Sequence, residues 1–384
     1  MKRAALFVCL AFASTGRAQD ADIKAALASL HRGETAAARS LARLGAPAVP
    51  GVIKALSDED ARIRGIAALA LRHIGPAAKD AAPALAEALR DMDISVASEA
   101  AQALGAIGPA AAPALAAALK KDASPAVVVR ACEAIRILGP AAKECVPTLI
   151  ATLKKPKDLE NVLPVLEALG RIGPAAAPAA GEIVRLLRPE ALKEAKAGPL
   201  LEDGMRAQAV HTLGRLGPGA KEAVPVLIGI FKDKRSPGDP LGVLSLDALA
   251  QIGAASEDLT PFLVEQIERG ATPKLVYYRA LAQVGAPGKA DIAKVAGGMR
   301  HKDAWVRLYA AAIVGKVEPN DPAVVSILIE SLKEADPKMR RQAAIYVGLV
   351  RPRDESVREA IVQATRDMDR TVSAAAKEAL EKLK

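Results

Sequence analysis

Residues 100–119 read AAQALGAIGPAAAPALAAAL and contain no acid, base, nucleophile or metal ligand. Apolar residues recur here at three- and four-residue spacing, which indicates an amphipathic helix. The pair Gly108-Pro109 predicts the end of that helix, because glycine adopts a left-handed conformation readily and proline cannot continue a helix. Small side chains on the apolar face let neighbouring helices approach closely. The predicted buried stripe is Ala100, Ala103, Leu104 and Ile107.

The same pattern recurs along the chain with a period of about 34 residues. Each unit contains two helical segments, as at 83–93 and 95–108. Such periods are typical of solenoids, in which each unit packs on its neighbours. We therefore predict a single all-α solenoid of about eleven helical hairpins over residues 20–384. The unit ends are Gly45, Gly75, Gly108, Gly139, Gly173, Gly217, Gly253, Gly285, Glu318, Arg351 and Lys384.

Proline marks the predicted helix starts, because a proline in the first turn of a helix loses no hydrogen bond. After five glycine-proline pairs, the next helix is predicted to start at Pro83, Pro113, Pro147, Pro178 and Pro225. Six further starts are predicted where a capping residue precedes proline. These are Ser124-Pro125, Asp239-Pro240, Thr260-Pro261, Thr272-Pro273, Asp321-Pro322 and Asp336-Pro337.

The N-terminal residues 1–18 have the pattern of a secretory signal peptide. Lys2 and Arg3 precede an apolar run, and small residues follow it. Cleavage near Gly16 or Ala18 predicts an extracytoplasmic protein, either periplasmic or secreted. The alternative is a cytosolic protein with an apolar N-terminus. No later segment has the unbroken apolar run of about 20 residues that a membrane span requires.

Composition limits the core and the partners. Hydrophobic residues make up 51% of the chain but aromatic residues only 2%, so the core must use small and aliphatic side chains. The formal charge of +9 falls to +6 without Lys2, Arg3 and Arg17. This mild charge argues against a dedicated nucleic-acid binder.

The units resemble HEAT repeats, specifically the short Ala-rich type named after phycobilisome (PBS) lyases. The family pattern, Asp-x-x-Val-Arg-x-x-Ala-Ala-x-Ala-Leu-Gly-x-Ile-Gly, is matched by DARIRGIAALALRHIG (60–75) and DAWVRLYAAAIVGKVE (303–318). DPKMRRQAAIYVGLVR (336–351) matches it more loosely. The resemblance implies a right-handed α-α superhelix, similar to armadillo proteins, with a structural ladder of acidic and arginine residues. The matching pairs are Asp60 with Arg64, Asp303 with Arg307, and Asp336 with Arg340.

The sequence offers no candidate for catalysis, so we predict no enzymatic activity, cofactor or metal. Deoxyhypusine hydroxylases, which share this repeat type, bind iron through His-Glu dipeptides, and none of the four histidines here precedes glutamate. These histidines are His31, His73, His211 and His301. Phycobilin lyases need a bilin pocket, and glycosylases of this repeat type need an aromatic basic cleft. No residues in this sequence single out either feature. An enzyme related to the lyases or hydroxylases, and a nucleic-acid binder, remain the alternatives.

Two cysteines, Cys132 and Cys145, follow the predicted signal peptide within one repeat. Their expected positions, mid-helix and beyond the next turn, are far apart for disulfide geometry. We therefore interpret both as small buried hydrophobic residues, although a disulfide is conceivable in an oxidising compartment.

Polar side chains two, six and nine positions before each unit end are predicted to face outward, and the resemblance places them on the inner curve. Their mixed charge fits a protein or peptide partner better than a nucleic acid. An ordinary solvated helix face fits them as well. The set is Arg39, Arg43, His73, Glu99, Gln102, Arg130, Glu133, Glu167, Arg171, Gln208, His211, Arg215, Asp247, Gln251, Arg279 and Gln283.

Two insertions, at 188–204 and 232–242, lengthen the turns between the first and second helices of adjacent units. Both are predicted to emerge on one edge of the solenoid, and insertions on one edge often mark a binding face. Together these patterns predict an exported, non-enzymatic scaffold for an unidentified protein or peptide partner. The candidate partner-binding residues are Arg171, Gln208, His211, Arg215, Asp247, Gln251, Lys193, Lys196, Lys234 and Arg235.

Overall fold

The computed structural model describes residues 19–121, 124–154, 159–188, 199–232, 240–253, 259–271, 274–285 and 287–383. The predicted signal peptide and residues 189–198 and 233–239 of the two insertions lie outside these ranges. Every regular element in the described ranges is an α-helix or a 3-10 helix. The chain divides into two compact units, Met1–Ala223 and Val224–Lys384.

The first unit contains twelve described α-helices. They are α1 (described over 19–31), α2 (Ala36–Leu44), α3 (Val49–Ala55), α4 (Ala61–Ile74), α5 (Ala82–Ala88), α6 (Ile94–Ile107), α7 (Ala112–Lys121), α8 (Pro125–Leu138), α9 (Val146–Leu153), α10 (Leu159–Ile172), α11 (Ala180–Leu186) and α12 (Pro199–Leu216).

The second unit contains ten described α-helices. They are α13 (Val224–Lys232), α14 (Pro240–Ile252), α15 (Leu259–Glu268), α16 (Lys274–Val284), α17 (Lys289–Ala296), α18 (Ala304–Gly315), α19 (Pro322–Leu332), α20 (Pro337–Val350), α21 (Glu355–Ala364) and α22 (Arg370–Lys382).

Paired helices repeat through both units, which confirms the predicted all-α solenoid class. The even-numbered helices α2 to α22 are the second members of eleven pairs in the described ranges. Each of them ends within three residues of a predicted unit end. In the first unit, successive second helices pack side by side from α2 through α4, α6, α8 and α10 to α12.

Glycine ends most of these second helices, but in a conformation that differs from the expected one. Gly108 has the predicted positive φ of 85°, whereas its ψ is −152°. This is the extended region of positive φ, which is essentially restricted to glycine, and not the left-handed helical region. Arg351 ends α20 with φ 54° and ψ 56°, which is left-handed helical and open to other residues.

The predicted helix starts are partly correct. Four of the five prolines after the glycine-proline pairs stand one residue inside their helices, because α5, α7, α9 and α13 start at Ala82, Ala112, Val146 and Val224. Pro178 lies in a 3-10 helix, Gly173–Ala179, and α11 starts after it. Ser124, Asp321 and Asp336 precede helices as predicted. The prediction of a helix start at Thr260-Pro261 is wrong, because both residues lie inside α15. Asp239, Thr272 and Pro273 lie outside the described residues.

The predicted buried stripe of α6 is confirmed. Ala100, Ala103 and Leu104 are fully buried, and Ile107 is 2% exposed. Gly105 stands where α8 crosses this helix: a Cβ built on it would lie 2.8 Å from both Cβ and Cγ2 of Ile137. The absence of a side chain at Gly105 therefore sets how closely α6 and α8 approach.

We expect Gly105→Ala to lower the free energy of unfolding by about 1–3 kcal/mol, because overpacking forces α8 away from α6. Gly65→Ala in α4 is the matched control, since a Cβ there would meet only Val96 Cγ2, at an ordinary 3.8 Å. This control is expected to stabilise the protein by about 0.5–1 kcal/mol through helix propensity. Urea denaturation of both variants measures the difference, and equal effects would contradict the packing argument.

Candidate functional site

The aspartate and the arginine of each predicted ladder pair bind different partners. Asp60 caps α4 by accepting a hydrogen bond from the amide of Arg62. Arg64 instead pairs with Asp91 of the next repeat, through Nε–Oδ2 at 2.6 Å and Nη2–Oδ1 at 2.7 Å. Its Nη1 also donates to the carbonyls of Asp58 and Glu59. Arg64 therefore joins two successive repeats at their turns.

A second ion pair of this kind lies in the second unit, between Arg340 and Asp367. Nε donates to Oδ2 at 2.7 Å and Nη2 to Oδ1 at 3.0 Å, while Asp336 caps α20. Arg307 donates to the carbonyls of His301 and Lys302, and Asp303 caps α18. In all three predicted pairs the aspartate is a helix cap and the arginine holds a turn.

Because of these two ion pairs, the stability of the fold is expected to depend on pH. Hydrogen bonds from Arg64 and Arg340 hold the pKa values of Asp91 and Asp367 below their ordinary value. A depressed pKa gives a contribution that is complete above the unfolded-state pKa of about 3.9 and is lost as pH falls through the folded-state pKa.

We therefore expect the melting temperature to fall on acidification below about pH 4. Thermal unfolding between pH 7 and pH 2 measures this dependence. The variant Asp91→Asn/Asp367→Asn should melt lower at pH 7 and lose part of its acid dependence. An acid dependence as steep as that of the wild type would contradict the assignment.

The outward orientation of the predicted polar set is confirmed, because none of its sixteen members is buried. In the first unit, part of this set lines a groove that crosses α6, α8, α10 and α12. This α6–α12 groove consists of two adjoining clefts, of about 620 and 280 Å³, that share Arg136, Glu167 and Arg171. Successive repeats therefore contribute to one surface.

The smaller cleft, here called the cationic end, brings four predicted partner-binding residues together. They are Arg171, Gln208, His211 and Arg215. Arg136 joins them, with its Nε 3.5 Å from Oε2 of Glu167. Within the described part of the chain, Arg171 and Arg215 have no hydrogen-bond or ion-pair partner. Three guanidinium groups here face one carboxylate.

Close helix packing positions the cationic end. A Cβ built on Gly170 of α10 would lie 3.4 Å from Thr212 Oγ1 and 3.6 Å from Arg215 Cδ. The buried Thr212 hydroxyl donates to the carbonyl of Leu166 at 3.0 Å, which links α12 to α10. The aliphatic stem of Arg215 therefore lies against the backbone of α10, with its guanidinium on the groove.

The larger cleft, here called the apolar end, was missed by the sequence reasoning. Val129 and Ile137 of α8 are 39% and 54% exposed, and both line it. Leu163 and Pro164 of α10 line the opposite side. Glu133 also lines this end and pairs with Arg130 at 3.4 Å. An apolar floor beside charged groups can hold the side chains of a bound peptide.

The remaining candidates lie in the second unit or outside the described residues. Asp247 and Gln251 line a cleft of about 420 Å³ with Arg279, which pairs with Asp247 at 2.7 Å. The buried Tyr346 lines the same cleft, and desolvation raises the pKa of its hydroxyl. The four basic candidates of the insertions lie outside the described residues: Lys193, Lys196, Lys234 and Arg235.

The two cysteines of the described residues are buried in the core. Cys132 and Cys145 are free and buried, and desolvation raises the pKa of both thiols, that of Cys145 to about 12. Within the described ranges, no three potential metal-ligating side chains cluster. The same ranges contain no helix with the length and hydropathy needed to cross a membrane.

Aromatic side chains pack against one another in the second unit. Trp305 stacks on Tyr309 with ring centroids 5.8 Å apart, and Tyr309 meets Tyr346 edge-on at 6.0 Å. Tyr277 contacts Phe231 at 5.8 Å. Most of the few aromatic side chains of the chain therefore take part in packing contacts.

Sequence reasoning also missed the acidic partners Asp91 and Asp367. Both stand in a repeated tetrapeptide, Arg-Asp-Met-Asp, at 90–93 and 366–369. In each tetrapeptide the first aspartate binds the arginine of the preceding repeat and the second caps the following helix. Comparison of these two turns could have revealed the pairing.

The chain is similar to several solved structures, of which importin β supports the fold. Importin β matches with a TM-score of 0.53 at 14% identity, over 91% of this chain and 59% of that chain. An engineered protein matches with a TM-score of 0.41 at 19% identity, over 94% of this chain and 98% of that chain. A structure concerning cadherin and β-catenin gives 0.43 at 15% identity, over 93% and 90%.

A search of curated proteins gives no match. The family model for HEAT repeats matches residues 34–105, 82–160 and 292–381, which together make up more than half of the chain. These matches agree with the repeated helical pairs of both units. The chain belongs to the HEAT-repeat family.

Proposed function

We propose that the protein is an exported, non-enzymatic scaffold that binds another protein through the α6–α12 groove. The groove itself carries this proposal, because stacked repeats present an open apolar surface beside Arg171 and Arg215, which have no carboxylate partner among the described residues. Many shallow contacts on closely packed helices favour an extended macromolecular partner over a small substrate.

Two finer parts of the proposal depend on the sequence alone. The stretches 60–75 and 303–318 support assignment to the short Ala-rich, PBS-lyase type of repeat. The pattern of residues 1–18 supports export to the periplasm or the medium. N-terminal sequencing of the protein from its native host tests export, and an intact Met1 would argue against it.

The buried positions of Cys132 and Cys145 support a non-enzymatic role, because the thiolate and not the buried thiol is the nucleophile. Metal analysis and visible absorbance of the purified protein test this part. Stoichiometric iron or a bound chromophore would favour the hydroxylase- or lyase-like alternative.

Photo-crosslinking tests the binding surface. A photoreactive phenylalanine analogue replaces Ile137 in the groove, and in a control it replaces Val362, which is 39% exposed on α21. In extracytoplasmic extract we expect a discrete heavier product from position 137 and none from position 362. Equal products at both positions, or a product with the mass of two copies, would overturn the proposal.

The two insertions are tested separately. Part of each predicted insertion is helical, since α12 starts at Pro199, α13 ends at Lys232 and α14 starts at Pro240. We propose that the remaining segments, 189–198 and 233–239, contribute to the same partner-binding function. Their deletion is expected to weaken capture of the crosslinked partner while helicity is unchanged. Undiminished capture after deletion of both segments would remove the insertions from the proposal and leave the groove.

A further inference from the structure

We propose that the α6–α12 groove recognises a peptide segment in which an aliphatic side chain stands close to acidic ones. This inference rests on the proposed scaffold function and specifies the chemistry of its partner. The aliphatic side chain would occupy the apolar end, and the carboxylates would occupy the cationic end.

The charge at the cationic end provides the first argument. Arg136, Arg171 and Arg215 line a cleft of about 280 Å³ in which Glu167 is the acidic residue. Neighbouring cations repel one another, and this cost is removed when an anion binds between them. Guanidinium groups bind carboxylates through paired hydrogen bonds, which adds geometric selectivity. This end is therefore complementary to carboxylates.

The apolar end provides the second argument. Ile137 and Val129 are among the few large hydrophobic side chains exposed in the described part of the chain, and they lie on one helix face facing Leu163 and Pro164. Exposed apolar surface gains free energy when a ligand removes it from water. A cleft of about 620 Å³ has room for one or two aliphatic side chains.

The mixture of groups along the groove favours a peptide over a polynucleotide. Glu133 and Glu167 line the groove, and they would repel a continuous row of phosphates. Phenylalanine, tyrosine and tryptophan rings, on which bases stack in single-strand binders, are absent from the residues that line both clefts. A short segment with local acidic groups avoids both problems.

The test uses a random twelve-residue peptide library displayed on phage, selected against the full-length mature protein. We expect enriched clones to combine an aliphatic residue with two or more acidic residues. For synthetic peptides of the enriched sequence, fluorescence anisotropy should show binding about tenfold weaker to Arg171→Glu/Arg215→Glu at about 0.1 M salt. Ile137→Ser should weaken binding of the same peptides but not of variants whose aliphatic residue is replaced by serine.

Arg39→Glu/Arg43→Glu on α2 is the matched control. It makes the same change in net charge on exposed side chains of a second helix outside the groove, and should bind the peptides as the wild type does. Circular dichroism and melting temperature check that all variants fold. Acid-poor enriched peptides, or equal weakening by both double variants, would overturn the inference.

A single-stranded twelve-nucleotide DNA is tested alongside the peptides. If it binds more tightly than they do and loses affinity in Arg171→Glu/Arg215→Glu, the groove binds nucleic acid and the inference is wrong. The native partner separates the two proposals: capture by Arg171→Glu/Arg215→Glu at wild-type level would overturn acidic recognition while leaving the scaffold. Absence of any captured partner in the crosslinking experiment would overturn the scaffold itself.

Discussion

Asp91→Ala is expected to lower the free energy of unfolding by about 3 kcal/mol, because it removes one partner of a largely buried ion pair. The side chains of Arg64 and Asp91 are 17% and 8% exposed, so water screens their interaction weakly. The substitution leaves the Arg64 guanidinium with its two carbonyl acceptors and without its paired carboxylate. Because the pair joins successive repeats, its loss also weakens their coupling. Chemical denaturation of the purified protein measures the effect.

Asp60→Ala is the control that separates the observed pairing from the one the family pattern implies. Asp60 is 45% exposed and caps α4, so its loss should cost about 1 kcal/mol. A double-mutant cycle between Arg64→Ala and Asp91→Ala should give a coupling energy above about 1 kcal/mol. If Asp60→Ala costs as much as Asp91→Ala, or if the cycle shows no coupling, the inter-repeat pair does not stabilise the fold as argued.

Local patterns predicted the helices well, because their cause is local. The positive φ of Gly108 and the inability of Pro109 to continue a helix depend on those residues alone, and the burial of Leu104 follows from its position on one helix face. In contrast, which residues a side chain contacts in the neighbouring repeat depends on the register between repeats. Arg64 reaches Asp91 across 27 residues, and no rule of local spacing distinguishes that carboxylate from Asp60.

The groove could be predicted only in part for the same reason. Position in the repeat indicated that Arg171, His211 and Arg215 face outward, and the structure places them in one cleft. Ile137 stands two positions before its unit end, which the same rule places outward, and it is 54% exposed. The rule was applied to polar side chains alone and so left Ile137 out. The register that brings Ile137 together with Leu163 and Pro164 arises from packing between repeats, which a single repeat does not encode.

Gly108→Ala is expected to cost about 3 kcal/mol, the upper end of the range for a residue held in a sparsely populated backbone conformation. A Cβ at this position meets no atom within 4 Å, so the cost arises from the backbone and not from crowding. With φ at 85° and ψ at −152°, alanine would clash with its own peptide group. Relief of that strain would require α6 to end differently and would shift the 3-10 turn that follows, Pro109–Ala111.

Gly204→Ala in α12 is the matched control, because a Cβ there is also free of contacts within 4 Å while the backbone is helical. It should raise the free energy of unfolding by about 0.5–1 kcal/mol, as alanine restricts the unfolded chain. Arg351→Gly extends the comparison: Arg351 is left-handed helical, so glycine there should relieve about 1 kcal/mol of strain. Opposite signs for Gly108→Ala and Gly204→Ala would show that helix ends are fixed by backbone conformation. A neutral Gly108→Ala would instead mean that the repeats determine their turns through packing alone.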